Sequence, residues 1–188
     1  MDHAFSQADA ARRTDAARRL QRALKLAYAY LARRARSVAE VRRHLRSRGV
    51  GEEAAEGALA ELRHQGYLDD ARYARALAED RRHLDGWGAE RIRERLHAAG
   101  IPPALIEQAV AEDPQTEIAA AVDLLRRRMR AAPADDGTRQ RALGLLIRKG
   151  YDADVAYEAI RRFERAAEPG HRAADHKPTG RLAERRPR

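Results

Sequence analysis

Residues 45–50 have the sequence LRSRGV, and the same pattern returns as LHAAGI at residues 96–101 and as LIRKGY at residues 146–151. Each stretch places a glycine four residues after a leucine and follows it with valine, isoleucine or tyrosine. The three glycines are 51 and 50 residues apart. A self-similarity of this length indicates three tandem copies of one small structural unit.

The apolar positions around each glycine have helical spacing. They lie four and eight residues before the glycine and five, nine and ten residues after it; around Gly49 they are Val41, Leu45, Ala54, Ala58 and Leu59. Positions three or four residues apart share one face of an α-helix, so we predict a helix on each side of the glycine. Glycine is favoured where a helix ends in the left-handed conformation, because it has no Cβ to clash.

A further apolar stripe precedes each pair of helices. In the first unit it ends before Ser37, which opens a capping box with Glu40. We therefore predict an all-α protein, an elongated array of three tandem three-helix repeats that resemble helix-turn-helix units. The predicted segments are an N-terminal extension of unassigned structure at 1–18, repeats at 19–68, 69–113 and 114–167, and a basic tail at 168–188 that we expect to be disordered.

Composition excludes several classes of protein. The 188 residues include 41 alanines and only nine aromatic residues, which favours closely packed helices over sheets. No cysteine is present, so a disulfide framework, a thiolate nucleophile and a cysteine-ligated zinc site are excluded. No segment is apolar enough to span a membrane, and the first eleven residues lack the pattern of a secretory signal. We therefore expect a cytoplasmic protein without membrane association.

Motifs for catalysis are missing from the sequence. It contains neither a phosphate-binding loop nor a dinucleotide-binding glycine pattern, and its seven histidines are scattered. We interpret Asp69 and Asp70 as helix-capping residues and Trp87 as a core anchor in preference to a base-stacking residue. The sequence therefore predicts a protein that is not an enzyme and that takes no cofactor or metal.

Charge alternates along the repeat. The whole chain carries +9, but residues 25–50 carry +7 and residues 51–70 carry −5, while residues 71–100 carry +2, residues 101–123 carry −5 and residues 124–149 carry +6. Acids in first helical turns and bases in last turns are favoured by the helix dipole, which explains part of this pattern. The arginine clusters near the ends of the opening helices go beyond it. They indicate either contacts with an anionic partner or a solvated face.

The candidate contact residues are arginines of the two most basic segments. They are Arg33, Arg34, Arg36, Arg42, Arg43 and Arg46 in the first repeat and Arg126, Arg127, Arg128 and Arg130 in the third. Bases three or four residues apart share one helix face. We expect the outer repeats to grip the partner and the middle repeat to space them.

Several stretches match a known family. They are LARRARSVAEV at residues 31–41, GYLDDARYA at 66–74, the Gly-Trp-Gly segment at 86–88 and LIRKGY at 146–151. On these residues the sequence resembles the RecX family, bacterial regulatory proteins that inhibit the RecA recombinase, over about residues 20–165. It departs from the family at residues 35–36, where an acidic and then a bulky residue are common.

The resemblance implies an all-helical protein of three-helix repeats that binds the filament of RecA recombinase on DNA. Such proteins lie along the filament groove and block its extension or promote its disassembly, without being enzymes. We expect a monomer. Its contacts could fall on the recombinase, on single- or double-stranded DNA, or on both.

Two alternatives stay open on the residues alone. A stand-alone DNA-binding regulator of the helix-turn-helix type would place the helix after the turn in the major groove. In the first repeat that helix carries Glu52, Glu53 and Glu56, which DNA phosphates would repel. A purely structural repeat scaffold would show no salt-sensitive affinity for DNA or for the filament.

Overall fold

The computed structural model describes the backbone of residues 2–167 and the side chains of residues 12–167. All regular elements in this part of the chain are helical, which confirms the predicted all-α class. The helices are α1 Asp2–Leu31, α2 Val38–Ser47, α3 Glu52–His64, α4 Asp70–Asp80, α5 Ala89–Ala98, α6 Pro103–Val110, α7 Pro114–Arg128, α8 Asp136–Lys149 and α9 Ala153–Ala167, and a π-helical turn, Arg81–Asp85, follows α4.

The chain divides into two compact units between Glu112 and Asp113. The first contains two groups of three helices, repeat 1 (α1–α3) and repeat 2 (α4–α6), and the second contains repeat 3 (α7–α9). Residues 2–18, whose structure the sequence left unassigned, belong to α1. The predicted tail at 168–188 lies outside the described residues.

Each repeat encloses its own small core. The core of repeat 1 forms around Ala27, Val41 and Leu59, that of repeat 2 around Ala74, Ile92 and Leu96, and that of repeat 3 around Ala121, Leu125 and Leu146, all fully buried. Alanines recur in all three cores, and their small side chains let helix axes approach closely. None of the described helices combines the length and apolarity needed to cross a bilayer.

The three repeated glycines end α2, α5 and α8 in the same way. Their φ angles are +71° at Gly49, +78° at Gly100 and +85° at Gly150, all in the left-handed region. In each repeat the amide after the glycine donates to the leucine carbonyl five residues earlier; in repeat 1 the Val50 amide lies 3.1 Å from the Leu45 oxygen. This arrangement satisfies carbonyls that the helix end would leave unpaired. The predicted glycine-centred turn is confirmed.

Three carboxylates cap the N-termini of helices. Asp69 accepts from the amide of Arg72 at 2.8 Å, and Asp113 and Asp135 accept from the amides three residues ahead at 3.1 and 2.7 Å. Hydrogen bonds from Thr138 hold the pKa of Asp135 below its ordinary value. The capping role predicted for Asp69 is confirmed.

Hydrogen bonds join repeat 1 to repeat 2. Ser37 is fully buried, and its Oγ accepts from the Glu40 amide at 3.0 Å while donating to the Ala99 carbonyl at 2.6 Å. The Glu40 carboxylate accepts from the Ser37 amide at 3.1 Å, so the predicted capping box is present. The next amide, of Val38, donates to Asp70 Oδ1 at 2.9 Å. The N-terminus of α2 is therefore held by repeat 2 as well as by its own cap.

Trp87 follows the π-helical turn and is half-buried against the core of repeat 2. Guanidinium carbons of Arg81 and Arg91 lie 5.2 and 4.4 Å from its ring centroid. Such contacts between a cation and an indole ring are attractive. This environment agrees with the interpretation of Trp87 as a core anchor.

Two glycines with similar backbones provide a test of the contact between repeats 1 and 2. A Cβ at Gly100 would lie 2.6 Å from the Cβ of Ala39, whereas a Cβ at Gly49 would meet nothing within 4 Å. We expect Gly49→Ala to cost about 1 to 2 kcal/mol, the penalty of the left-handed conformation. Gly100→Ala should cost about 1 to 3 kcal/mol more, because the added methyl group overpacks the contact.

Urea denaturation of the full chain, followed by circular dichroism, measures both losses. Equal losses in the two variants would contradict the prediction, since they would mean that Ala39 moves away from the new methyl group at no cost.

Candidate interaction surface

The candidate arginines occupy three kinds of position. Arg33, Arg34 and Arg36 lie in the connection after α1, which ends at Leu31, and not on the helix itself. Arg42, Arg43 and Arg46 lie on α2. Arg126, Arg127 and Arg128 form the last turn of α7, and Arg130 follows in the connection to α8.

Two of the α2 arginines are ion-paired with α3. Arg42 Nε lies 2.6 Å from Glu56 Oε1, and Arg46 Nη2 lies 2.8 Å from Glu52 Oε1. A second hydrogen bond in each pair makes both contacts bidentate. Hydrogen bonds from the guanidinium groups lower the pKa of both glutamates and raise the pKa of both arginines. The helix face shared by Arg42 and Arg46 is therefore neutralised within the repeat.

The same pairing recurs in repeat 2. Arg93 Nε on α5 lies 2.8 Å from Glu107 Oε1 on α6, and both residues stand 51 positions after Arg42 and Glu56. The hydrogen bond from Arg93 lowers the pKa of Glu107. In repeats 1 and 2, part of the charge alternation in the sequence is thus an ion pair between the second and third helices.

Repeat 3 replaces this ion pair with apolar residues. Leu143 and Tyr157 occupy the equivalent positions, seven residues before and after the glycine, and Ile147 stands where repeat 1 has Arg46. Tyr157 is 51% exposed and Ile147 is 47% exposed. The charge pattern did not single out these residues, although comparing the three repeats position by position reveals the change. Repeat 3 therefore presents apolar side chains on the face where repeat 1 presents paired charges.

Two further candidates of repeat 1 contact Glu40. Arg34 Nη2 lies 3.1 Å from its carboxylate, and Arg36 Nη1 lies 3.8 Å from it. The Arg36 guanidinium also covers the ring of Tyr30 at 4.1 Å, and its side chain is only 12% exposed. Arg36 is thus largely engaged inside the protein.

Among the described residues, half of the ten candidate arginines have no carboxylate close enough to offset their charge. In repeat 3, Arg126 pairs with Asp123 at 3.2 Å. Within the part of the chain that the structure describes, five exposed candidates have no carboxylate within 4.0 Å: Arg33, Arg43, Arg127, Arg128 and Arg130. These five are the residues best able to bind an outside anion, because exposed guanidinium groups bind phosphate or carboxylate without first breaking an internal pair.

His44 lies beside the arginines of repeat 1. Its imidazole stacks on the ring of Tyr30, with centroids 4.0 Å apart and the rings 5° from parallel. Burial lowers the pKa of His44, and the charges of Arg48, Arg36 and Arg33 lower it further. Both effects favour the neutral imidazole over its charged form.

No metal centre is evident among the described side chains, since nowhere do three or more His, Cys, Asp or Glu residues converge to hold an ion. The chemistry that the candidate residues offer is hydrogen bonding and charge attraction to anions. The candidate surface is thus suited to binding.

The lowered pKa of His44 predicts a pH dependence of stability. In the unfolded chain the imidazole titrates near its ordinary pKa of about 6.5, above its folded value. As pH falls below about 6.5 the unfolded state therefore takes up the proton first, and the free energy of unfolding decreases. Urea titrations between about pH 8 and pH 5.5 measure this loss. His44→Gln should reduce it, and an unchanged slope in that variant would contradict the assignment.

Comparison with known proteins places these repeats in a family. Residues 23–62 match the family model described as RecX, first three-helix domain, and residues 69–110 match the model described as RecX, second three-helix domain. Regulatory protein RecX of Stenotrophomonas maltophilia is 37% identical over 143 residues, which cover 76% of this chain and 85% of that protein. Regulatory protein RecX of Deinococcus radiodurans is 35% identical over 144 residues, which cover 75% and 69%.

Solved structures are similar as well. A crystal structure of RecX from Lactobacillus salivarius superposes with a TM-score of 0.71 at 19% identity, covering 79% of this chain and 99% of that one, which supports the fold. A second structure, of regulatory protein RecX, gives a TM-score of 0.66 at 27% identity and covers 79% of this chain and 74% of that one. With these matches and its helical repeats, the chain belongs to the RecX family of regulatory proteins.

Proposed function

We propose that this protein binds the RecA recombinase–DNA filament and negatively modulates it, slowing strand exchange, ATP hydrolysis and filament extension in DNA repair and recombination. The observation that carries the proposal is the set of five exposed arginines with no carboxylate within 4.0 Å among the described residues, in a chain of the RecX family. A recombinase filament offers DNA phosphates and protein carboxylates, which are the groups that guanidinium side chains bind.

The division of these arginines between repeats supports binding by the outer repeats. Arg33 and Arg43 belong to repeat 1, and Arg127, Arg128 and Arg130 belong to repeat 3. Tandem repeats suit a long partner such as a filament, because each repeat adds its own contact surface. In this proposal the protein acts in the cytoplasm as a monomer, by binding and not by catalysis, without a cofactor, and repeat 2 spaces the two gripping repeats.

A helix-turn-helix protein that reads duplex DNA alone is the second candidate function. The short connection at residues 48–51 between α2 and α3 favours it, since two helices joined by such a turn characterise that class. The ion pairs of Glu52 and Glu56 with α2 argue against it, because α3 would carry carboxylates into the groove. A footprint on one defined duplex at physiological salt would favour this candidate over filament binding.

Strand exchange and ATP hydrolysis by RecA on single-stranded DNA test the first proposal directly. We expect both rates to fall as this protein is added. Unchanged rates at saturating protein would contradict the proposed function.

Arg33 and Arg43, which have no carboxylate within 4.0 Å in the part of the chain that the structure describes, predict a specific loss of binding. Arg33→Gln/Arg43→Gln should weaken filament binding by on the order of tenfold or more, because each hydrogen bond to a charged group contributes about 1.5 kcal/mol. If these arginines bind phosphates, the slope of log K against log salt should flatten by roughly one unit for each phosphate that the variant no longer binds. Binding to acidic protein groups would change the slope less.

Arg63→Gln/Arg75→Gln is the matched control for this experiment. Both residues are exposed and lie outside the candidate set, and the variant removes the same charge. Fluorescence anisotropy on labelled filaments compares the two variants at several salt concentrations. Equal losses in the two would show that net charge alone attracts the protein, without these particular residues.

A further inference from the structure

Repeat 3 contains an open groove lined by four arginines. It has a volume of about 840 Å³ and lies between α8 and the connection that precedes it. Arg128 and Arg130 enter it from the end of α7 and the connection, and Arg141 and Arg148 enter it from α8. No aspartate or glutamate is among the described residues that line it. The groove therefore concentrates positive charge on two facing sides.

Most of this charge is not offset inside the protein. Arg128, Arg130 and Arg141 have no carboxylate within 4.0 Å in the described part of the chain. Asp135, whose pKa is lowered by hydrogen bonds from Thr138 and also by Arg141, is engaged in capping α8. On α9, by contrast, three arginines share the carboxylate of Glu158 at 2.9–3.1 Å. Three of the arginines that line the groove, Arg128, Arg130 and Arg141, thus have no acidic partner within 4.0 Å among the described residues.

Glycine at position 144 makes room for one of these guanidinium groups. A Cβ at Gly144 would lie 3.1 Å from Arg148 Nη1, so the Arg148 side chain packs directly over the bare backbone of α8. Glycine inside a helix lowers its stability relative to alanine. Gly144 therefore lowers the stability of α8 at the position where the Arg148 guanidinium group packs beside the groove.

Apart from Thr138 and Gln140, the rest of the lining is apolar. Half-buried Met129 and Leu145 lie in the groove with the alanines of the connection. No aromatic side chain lines it among the described residues, so the groove offers no ring on which a nucleic-acid base could stack. A sugar–phosphate backbone would leave the apolar lining unmatched. A peptide that combines carboxylates with aliphatic side chains matches both the charge and the apolar surface.

We propose that this groove binds an acidic protein segment that also carries aliphatic side chains. This inference rests on the proposed function, because it places the segment on the protein component of the filament and not on DNA. The exposed Ile147 and Tyr157 support a protein partner for repeat 3, since apolar side chains are suited to protein contacts.

Fluorescence anisotropy with defined probes tests the groove on the full chain. The main probe is a short labelled peptide in which pairs of glutamates alternate with leucine. A second peptide has glutamine for glutamate, a third has serine for leucine, and the fourth probe is single-stranded oligothymidylate. We expect the acidic leucine peptide to bind at least tenfold more tightly than either peptide control.

Variants then locate the binding. Arg128→Gln/Arg141→Gln should weaken peptide binding by at least tenfold, while Arg161→Gln/Arg165→Gln removes the same charge from α9 and should leave it unchanged. Gly144→Ala should weaken binding without lowering the melting temperature, because the methyl group shifts the Arg148 guanidinium by a few tenths of an ångström while favouring the helix. Circular dichroism verifies that each variant is folded.

Three outcomes overturn the inference. They are equal peptide affinity in the groove and α9 variants, equal affinity for the three peptides, and a groove variant that loses oligothymidylate but not peptide. The last would identify the groove as a phosphate site.

Strand exchange separates this inference from the proposed function. If the peptide binds in the groove and the groove variant inhibits RecA less than the parent, both are supported. If the peptide binds in the groove but the unsubstituted protein does not inhibit RecA, the proposed function fails. The groove would still be a site for an acidic protein segment. If the parent inhibits RecA and the groove variant still binds peptide as the parent does, the groove assignment fails and the function stands.

Discussion

The left-handed glycine that ends the second helix of each repeat is the constraint on which the rest of this fold depends. At Gly49, Gly100 and Gly150 it reverses the chain and directs the third helix back onto the core. At Gly100 it also permits the close approach of Ala39, and the carbonyl just before it accepts the buried Ser37 hydroxyl. One turn thus closes a helix of repeat 2 and anchors a helix of repeat 1. Any side chain there would disturb both.

Sequence periodicity was sufficient to predict the helices, glycine turns and caps because each depends on residues close together in the chain. It was silent on the start of α1, whose first residues, rich in alanine and arginine, show no apolar stripe although both residues favour helix. It also missed the π-helical turn before Gly86, where Arg81 pairs with Asp85. These elements follow from local propensity and turn geometry, which leave no periodic pattern to detect.

The sequence predicted the helices more completely than it predicted which arginines form ion pairs. Counting bases located two basic segments, but it could not separate Arg42, held by Glu56, from its neighbour Arg43, which has no carboxylate at close range in the described residues. The distinction arises because adjacent helical residues point in directions about 100° apart, so one faces α3 and the other does not. The sequence nevertheless contains a sign of this ion pair. Arg42 and Glu56 are fourteen residues apart, and the same two residue types recur at that spacing in repeat 2 as Arg93 and Glu107. The ion pair is therefore predictable from the alignment of the repeats alone.

The alignment of the repeats also shows that repeat 3 has the same glycine turn as repeats 1 and 2 but different surface residues. The turn at Gly150 matches the other two, so repeat 3 keeps the local geometry that pairs charges in repeats 1 and 2. Its outer positions hold Leu143, Ile147 and Tyr157 instead. Three arginines without a carboxylate within 4.0 Å among the described residues line a partly apolar groove: Arg128, Arg130 and Arg141. Exposed aliphatic and aromatic side chains on one face are suited to contact with a protein partner. Repeat 3 therefore differs from repeat 1 in the chemistry it offers, and the difference lies in residues that the core does not need. Repeats 1 and 3 thus share the glycine turn but differ in their surface residues. This difference favours a model in which the two outer repeats contact different surfaces of the partner, and not two copies of the same surface.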